Sequence, residues 1–358
     1  MKILIASGAA GGTAKGRIGK HIHLDDFGKA LEKNGHHYKL VYEIDYVNGF
    51  PSKDIKSWFS KKKLHKLIDE YKPDIVFVDR QSHFALECIK LKIPTFVYLR
   101  GHFWSEVDWA KKTIYKSAFM SWILNQRKEI ANKVFAKCNG IFMTADYLDG
   151  VIKEHIPNAK TFHFLEGLDT SRWYPQEGMK LKHPCVGMLH DANWWGKTKE
   201  MLTLKKVLEK MPDITFYWAG DGPYREKITD ELEKYENFHW LGRLEYPDKV
   251  RDFLNEIDVY ALVSGMDLAP LTLKEAQLMK KPVLATDAGG IPEMMKDGET
   301  GFLIKEGDHE EWIKQLSKII NDKTLSRELG EEGQRFVNET FNWEKIAKNF
   351  VEILNKYQ

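Results

Sequence analysis

Cysteines and long apolar runs are both scarce in this sequence. The three cysteines, Cys88, Cys138 and Cys185, are an odd number at wide spacing, and no Cys-x-x-Cys pair is present to bind a metal or exchange disulfides. We therefore expect reduced thiols in a cytoplasmic protein. No run of about 18 or more apolar residues occurs, which excludes a membrane-spanning helix and leaves attachment to a membrane surface open. The apolar stretch at residues 3–6 is too short for a signal peptide.

An excess of charge of one sign is also missing. The 358 residues carry 54 Lys and Arg against 52 Asp and Glu, a net charge of +2, which disfavours a generic nucleic-acid binder. With 43% hydrophobic and 30% charged residues, the chain has enough apolar material for a core, and a disordered protein is excluded. At roughly 100 to 200 residues per domain, the length indicates two domains.

Short apolar runs alternate with helical patterns in two successive series. The first series is 3–6, 37–42, 75–78, 95–99, 140–143 and 161–165, and the second is 185–189, 214–219, 239–241, 259–263, 283–286 and 301–304. Runs that are apolar on both faces suit parallel strands covered by helices. The sequence thus predicts an α/β protein with two doubly wound parallel-sheet domains. In such sheets ligands bind beyond the carboxyl ends of the strands, so two domains facing across a cleft could hold a two-part substrate.

A polar, turn-rich stretch separates the two series. We expect a first domain at residues 1–165, a second at 166–340, and a C-terminal helix at 341–358 that packs back on the first domain. Apolar residues at Ile346, Phe350 and Leu354 give that helix its amphipathic spacing. A helical segment is also predicted at 197–210.

A glycine-rich segment follows the first predicted strand. Gly12, Gly16 and Gly19 would let backbone amides approach a phosphate, although the spacing is neither Gly-x-Gly-x-x-Gly nor that of a Walker loop. A plain flexible loop is the alternative. The missing dinucleotide pattern disfavours a nicotinamide-dependent dehydrogenase.

Polar residues also follow two later strands of the first series. Arg80 comes after the run at 75–78, and Arg100 and His102 come after the run at 95–99. A guanidinium suits carboxylate or phosphate groups, and an imidazole can bond a sugar hydroxyl. A purely structural role is the alternative for each.

The most informative stretch is residues 258–303. Asp267 lies in a loop after a strand, and Glu275, separated from it by seven residues, falls in the next predicted helix, so both can approach one ligand. Pro-Val-Leu-Ala-Thr at 282–286 and Gly-Gly-Ile-Pro-Glu at 289–293 follow. Taken alone, such a carboxylate pair is more often solvated surface charge.

This stretch resembles the signature of retaining glycosyltransferases of family 4, the group 1 glycosyltransferases, which have the two-domain GT-B architecture. That family usually shows two glutamates separated by seven residues, a Pro-Val-Ile-Ala-Thr-like strand and Gly-Gly-x-x-Glu. Further similarities occur in order at residues 19–36, 167–175, 219–223 and 241–243, so the resemblance covers nearly the whole chain.

The resemblance implies a sugar-nucleotide site in the second domain. Glu275 would bind the ribose hydroxyls, and Asp267 would lie near the donor sugar. The backbone amides of Leu271 and Thr272 would hold the diphosphate together with Lys197.

It also implies contacts around the base and in the first domain. Arg243 and the loop containing Gly220 and Asp221 would surround the base. His102 would contact the donor sugar near the reacting carbon. The loop with Gly12, Gly16 and Gly19 would close over the phosphates and the acceptor, and Arg80 and Arg100 are expected on the acceptor side.

Two positions depart from the family pattern. Met188 stands where the family has a diphosphate-binding Arg, and Asp267 replaces the first signature Glu. One phosphate-binding cation is therefore missing, and Arg80, Arg100 or Arg243 could supply the charge. Reduced activity or an altered choice of donor would follow from either departure.

We expect a hexosyltransferase that moves a hexose or N-acetylhexosamine from a UDP- or GDP-sugar to a hydroxyl of a glycan or lipid-linked acceptor, with retention. The resemblance implies no cofactor and no metal, since Lys197 and helix-start amides would stabilise the leaving diphosphate. A sugar-nucleotide-binding protein with little turnover is one alternative. A GT-B epimerase or phosphorylase is another.

The acceptor side of the chain is the more basic half. Residues 1–165 carry 27 Lys and Arg against 17 Asp and Glu, whereas residues 166–358 carry 27 against 35. The segment 109–137 is both basic and aromatic, as in helices that lie on anionic lipid, so a peripheral position on the inner membrane face is one hypothesis. A core-facing helix with lysines on its solvent side is the alternative.

Overall fold

The computed structural model describes residues 1–8, 18–47, 61–113 and 115–356. By their internal packing, these residues form two units. The first comprises Met1–Gly167 and Trp343–Gln358, and the second comprises Leu168–Asn342. The final helix is therefore part of the first unit.

The first unit contains six parallel strands in the order β2-β1-β3-β4-β5-β6. The strands are β1 (Lys2–Ser7), β2 (His37–Tyr42), β3 (Ile75–Val78), β4 (Thr95–Leu99), β5 (Gly140–Met143) and β6 (Thr161–His163). The helices are α1 (Ile18–Lys33), α2 (Lys62–Tyr71), α3 (His83–Lys90), α4 (Phe103–Thr113), α5 (Ala118–Lys137) and α6 (Tyr147–His155), with α14 (Trp343–Asn355) from the end of the chain.

Aromatic residues from distant parts of the chain form the core of the first unit. The Phe350 ring of α14 lies 5.0 Å from the rings of Phe27 and Phe77 and 4.8 Å from Phe142, between ring centroids. The central strands are buried on both faces, because helices cover each side of the sheet.

The second unit also has six parallel strands, in the order β12-β11-β10-β7-β8-β9. The strands are β7 (Cys185–Leu189), β8 (Thr215–Ala219), β9 (Phe238–Gly242), β10 (Val259–Leu262), β11 (Val283–Thr286) and β12 (Gly301–Ile304). The helices are α7 (Trp195–Thr198), α8 (Leu204–Lys210), α9 (Arg225–Leu232), α10 (Asp248–Glu256), α11 (Leu271–Leu278), α12 (His309–Asn321) and α13 (Lys323–Thr340). This is the doubly wound order, and the chain reverses its direction of winding between β7 and β10.

The helical segment predicted at 197–210 is confirmed, but it is not one regular α-helix. Two short α-helices, α7 and α8, flank a 3-10 helix at Lys199–Thr203. Glu200 in that turn points inward, where its carboxylate accepts hydrogen bonds from the Gly307 amide at 2.8 Å and the Thr203 hydroxyl at 3.1 Å. The tighter turn brings this buried carboxylate to a partner more than a hundred residues away in the chain.

The basic segment 109–137 spans parts of two helices. Helix α4 ends at Thr113, and α5 begins after Ser117, whose hydroxyl accepts a hydrogen bond from the Met120 amide as an N-cap. Phe119 and Trp122 on α5 are 66% and 47% exposed, so at these two positions the aromatic side chains do not face a core. Among the described helices, none is long and apolar enough to cross a membrane.

Candidate active site

The loops at the carboxyl ends of β7 and β10 lie where the second sheet reverses its winding. Ligands of doubly wound sheets bind at this place, because the two loops diverge and leave a crevice. His190 and Asp191 follow β7, and the segment from Ser264 to Asp267 follows β10 and leads into α11.

Helix α11 begins at this crevice. Leu271 and Thr272 are its first two residues, and the amides of a first helical turn have no partner within the helix. The Thr272 hydroxyl donates to the Leu189 carbonyl at 3.0 Å, and the Tyr260 hydroxyl lies 2.7 Å from the same Thr272 oxygen. The helix start is thereby tied to the end of β7, with its positive dipole end in the crevice.

Lys197 and Asp267 form an ion pair beside this helix start. The Lys197 ammonium donates to the Asp267 carboxylate, and the two side chains are 21% and 20% exposed. The Gly265 amide also donates to the Lys197 carbonyl at 3.0 Å, which joins the end of α7 to the loop after β10. The only carboxylate that salt-bridges this ammonium among the described residues is Asp267.

Glu275 is the fifth residue of α11 and is 1% exposed. One of its carboxylate oxygens accepts a hydrogen bond from the Tyr246 hydroxyl at 3.1 Å. A carboxylate held in this way is preorganised to accept hydrogen bonds from hydroxyl groups of a ligand.

Asp191 forms hydrogen bonds with two further predicted residues of the second unit, Arg243 and Asp221. Arg243 donates to both Asp191 carboxylate oxygens at 3.1 Å, and the Asp221 amide donates to one of them at 3.3 Å. Gly220 lies so close to the end of β7 that a Cβ atom there would stand 2.0 Å from the His190 carbonyl oxygen. Glycine is therefore required at position 220, and the loop is held against the crevice.

Sequence reasoning missed His190 and Asp191. A signal was available, since both directly follow the apolar run 185–189 and thus stand at a strand end. His190 is 8% exposed, and among the described residues neither of its ring nitrogens has a partner at hydrogen-bond geometry. Burial, followed by the charge of Lys197, lowers its pKa to about 3 and outweighs the opposing effect of the Asp191 backbone.

Arg100 in the first unit is engaged by two buried carboxylates. Its guanidinium contacts Asp79 and Glu166, each at 2.9 Å, and lies 4.8 Å from the centre of the Tyr98 ring. Burial disfavours the charge, but the two carboxylates outweigh it and raise the pKa of Arg100. This pairing favours the structural alternative for Arg100 over a role as the missing phosphate-binding cation.

Arg80 and His102 also lie at the carboxyl ends of β3 and β4. Arg80 is exposed and lines a small cavity of about 80 Å³ together with Asp79 and Glu106. The His102 Nδ1 atom accepts a hydrogen bond from the Ser105 amide at 3.2 Å, which caps α4 and leaves the ring proton on Nε2.

The glycine-rich loop is only partly described. Gly12 and Gly16 lie outside the described residues, whereas Gly19 is in the first turn of α1.

The fold and the site together define a class of protein. Two doubly wound units with a crevice of this kind are the GT-B architecture of glycosyltransferases. Residues 171–336 match the family model of the group 1 glycosyl transferases. The matched residues lie within the second unit, Leu168–Asn342.

Curated proteins with similar sequences include further glycosyltransferases. The chain is 31% identical over 155 residues to the sulfoquinovosyl transferase SQD2 of Arabidopsis thaliana, covering 41% of this chain and 29% of SQD2. The match thus spans less than a third of that protein. The chain is also 29% identical over 335 residues to the uncharacterized glycosyltransferase MJ1178 of Methanocaldococcus jannaschii, and this match covers 89% of this chain and 85% of MJ1178.

Solved structures share the fold. The Anabaena protein HepE in complex with UDP-glucose superposes with a TM-score of 0.70 at 15% identity, over 99% of this chain and 100% of that chain. At this identity the likeness concerns the fold alone.

Proposed function

We propose that the protein transfers a hexose or N-acetylhexosamine from a UDP- or GDP-sugar to a hydroxyl of a glycan or lipid-linked acceptor, with retention at the anomeric carbon. The observation that carries the proposal is the convergence of Lys197, Asp267 and the start of α11 at the switch point of the second sheet. A cation and a helix start beside each other suit a diphosphate.

Each residue has a part in the proposed reaction. Lys197 and the amides of Leu271 and Thr272 stabilise the charge that develops on the leaving diphosphate, and this positive charge makes a metal unnecessary. Glu275 accepts hydrogen bonds from the ribose hydroxyls. Asp267, released from Lys197 by the donor, faces the sugar.

The remaining predicted residues keep the parts that the family resemblance implies. Arg243, Gly220 and Asp221 hold the base, and His102 presents its Nε2 proton to the donor sugar. Arg80 and Gly19 belong to the acceptor side. We place the reaction in the cytoplasm, since the three cysteines carry no disulfide.

The first experiment is a binding screen. A ligand that binds only the folded state raises the melting temperature, so UDP, GDP and their sugars are compared with UMP and GMP in a thermal-shift assay. We expect one nucleoside diphosphate to stabilise the protein more than its monophosphate. The solved complex of a relative with UDP-glucose supports testing UDP first.

The second experiment separates transfer from its alternatives. Product formed from the selected donor is analysed by NMR for the configuration at the anomeric carbon, with and without EDTA. An inverted product contradicts retention, and loss of activity in EDTA contradicts metal independence. Binding without turnover favours the sugar-nucleotide-binding alternative, and nucleotide release that needs no acceptor favours an epimerase.

The exposed aromatic pair on α5 supports a membrane surface as the place where the acceptor is met. The Phe119 and Trp122 rings are 6.1 Å apart, and Lys111, Lys112 and Lys116 are exposed on the chain just before them. Aromatic rings enter the headgroup region while lysines attract anionic lipid.

Flotation with vesicles of anionic lipid tests this attachment. We expect the wild-type protein to float, and the double variant Phe119→Ser/Trp122→Ser to stay in the soluble fraction. Tyr174→Ser is the matched control, since Tyr174 is an aromatic residue of the second unit that is 46% exposed. Wild-type protein that does not float contradicts the membrane proposal without touching the sugar-nucleotide proposal.

A further inference from the structure

The His190 ring is a buried polar group without a well-formed hydrogen bond. It stands directly after β7 and is 8% exposed, and among the described residues neither ring nitrogen has a partner at hydrogen-bond geometry. A contact with the Asp191 backbone acts to raise its pKa, but burial and Lys197 outweigh it. Its backbone, in contrast, is well held, since the amide donates to the Ala219 carbonyl at 3.2 Å and the carbonyl accepts from the Trp218 indole at 3.0 Å.

An unpartnered imidazole in this setting is unfavourable in the free protein. A buried donor or acceptor without a partner loses its hydrogen bonds to water and gains none in return. Such groups in folded proteins call for an explanation, and a ligand that completes the hydrogen bond is one. Because burial and then Lys197 lower its pKa to about 3, the ring is neutral at pH 7 and carries one N–H donor.

The surroundings of the ring identify the ligand group. Lys197 is near enough for its charge to act on the ring, and the preceding Leu189 carbonyl is bonded to Thr272 at the start of α11. Asp191, on the other side, bonds Arg243 and the Asp221 amide. His190 therefore lies next to groups that we assign to the donor nucleotide.

Met188 explains why a further hydrogen-bond donor is needed here. In the pattern that the sequence resembles, this position carries an Arg, whereas the Met188 side chain is completely buried in the core cluster of the second unit. It can offer no hydrogen bond. His190 lies two residues further on, directly after the end of the same strand.

We propose that His190 donates its ring N–H to a phosphoryl oxygen of the nucleoside diphosphate, and so supplies the contact that Met188 does not. This inference rests on the proposed function, because it assigns a further residue to the same donor site. His190 is then a donor-binding residue whose contribution does not require a positive charge.

The test compares two substitutions at position 190. His190→Phe keeps an aromatic ring without a donor, and His190→Gln keeps an N–H donor in a smaller side chain. His239→Gln is the matched control, since His239 is an exposed histidine on β9 of the same unit. Binding of UDP, GDP, uridine, guanosine and inorganic pyrophosphate is measured by calorimetry, and the melting temperature of each variant is recorded.

We expect His190→Phe to weaken the binding of the preferred nucleoside diphosphate and of pyrophosphate about tenfold, in line with loss of a hydrogen bond to a charged group. Binding of the nucleoside alone should stay unchanged. His190→Gln should bind the diphosphate and pyrophosphate more tightly than His190→Phe does, and the control His239→Gln should bind them as the wild type does. These losses should be the same at pH 6 and pH 8, because the ring is neutral at both.

Two outcomes would overturn the inference. His190→Phe could bind the diphosphate and pyrophosphate as the wild type does, or it could weaken the nucleoside as much as the diphosphate, which would show a structural role. Wild-type protein that binds neither UDP nor GDP refutes the proposed donor instead, and the pyrophosphate comparison then still decides the role of His190.

Discussion

The ion pair between Lys197 and Asp267 sets up a competition that can be measured. In the structure, the Asp267 carboxylate pairs with the ammonium that, in the proposed function, binds the diphosphate. Binding of the donor must therefore exchange one anion for another. Asp267→Asn removes the charge and keeps the size of the side chain, so Lys197 becomes fully available and the repulsion between Asp267 and the phosphates disappears.

The magnitude follows from the charge and the exposure. Two unit charges about 4 Å apart attract each other by about 4 kcal/mol at an effective dielectric constant of about 20. Because both side chains retain about a fifth of their exposure, water screens the pair, and we take roughly a third of this value. The resulting gain of about 1.4 kcal/mol corresponds to about tenfold tighter binding of the nucleoside diphosphate.

Calorimetry with UDP and GDP measures the gain, and uridine and guanosine serve as ligands without phosphate. We expect Asp267→Asn to bind the diphosphate about tenfold more tightly and the nucleoside equally well, while sugar transfer falls. Lys197→Met should lose affinity, and in that background Asp267→Asn should give a smaller gain than in the wild type, because only the removal of the repulsion remains. Weaker diphosphate binding by Asp267→Asn, or an unchanged gain in the double variant, would refute the exchange.

Three further predictions concern stability. Arg100→Ala leaves two buried carboxylates without their cation and should lower the free energy of unfolding by about 3–5 kcal/mol in urea titrations, whereas Arg100→Lys should lose less. His183 contacts Glu256 and Asp258 at 2.9 and 2.7 Å, and these hydrogen bonds raise its pKa above 6.5. Their stabilisation is therefore present below pH 6.5 and is lost as the pH rises through the raised pKa. His183→Gln should flatten this part of the profile of melting temperature against pH. Burial raises the pKa of Glu43 from 4.5 to about 7, so stability should fall as the pH rises from 4.5 through 7, and Glu43→Gln should abolish that fall.

The strands could be predicted because parallel strands covered on both faces are nearly continuous apolar runs. The runs at 75–78, 95–99, 185–189 and 283–286 coincide with β3, β4, β7 and β11. The broken helix at 195–210 could not be predicted in the same way. Its tight turn is accompanied by a hydrogen bond between Glu200 and the Gly307 amide, and no local pattern reveals a partner so distant in the chain.

The candidate site was predicted where a strand end or a helix start carried a recognisable pattern. Asp267 and Glu275 were singled out in this way, and Lys197 was implied by the family resemblance. In the structure Lys197 pairs with Asp267, and Glu275 lies in α11. The significance of His190 and Asp191 depends on β7 lying at the centre of its sheet next to β10, which is a property of strand order. Strand order is set by the packing of the whole unit, so no single segment of sequence contains it.

The position of α14 has a consequence for the order in which the protein folds during synthesis. The core of the first unit includes Phe350, yet this residue leaves the ribosome only after all of the second unit has been made. Until then Phe27, Phe77 and Phe142 lack one of their packing partners. The second unit is inserted between two parts of the first, and its end residues Leu168 and Asn342 are adjacent in an isolated parallel bridge. The aromatic core of the first unit therefore stays incomplete while the second unit is being made, and at this stage the nascent chain is exposed to aggregation.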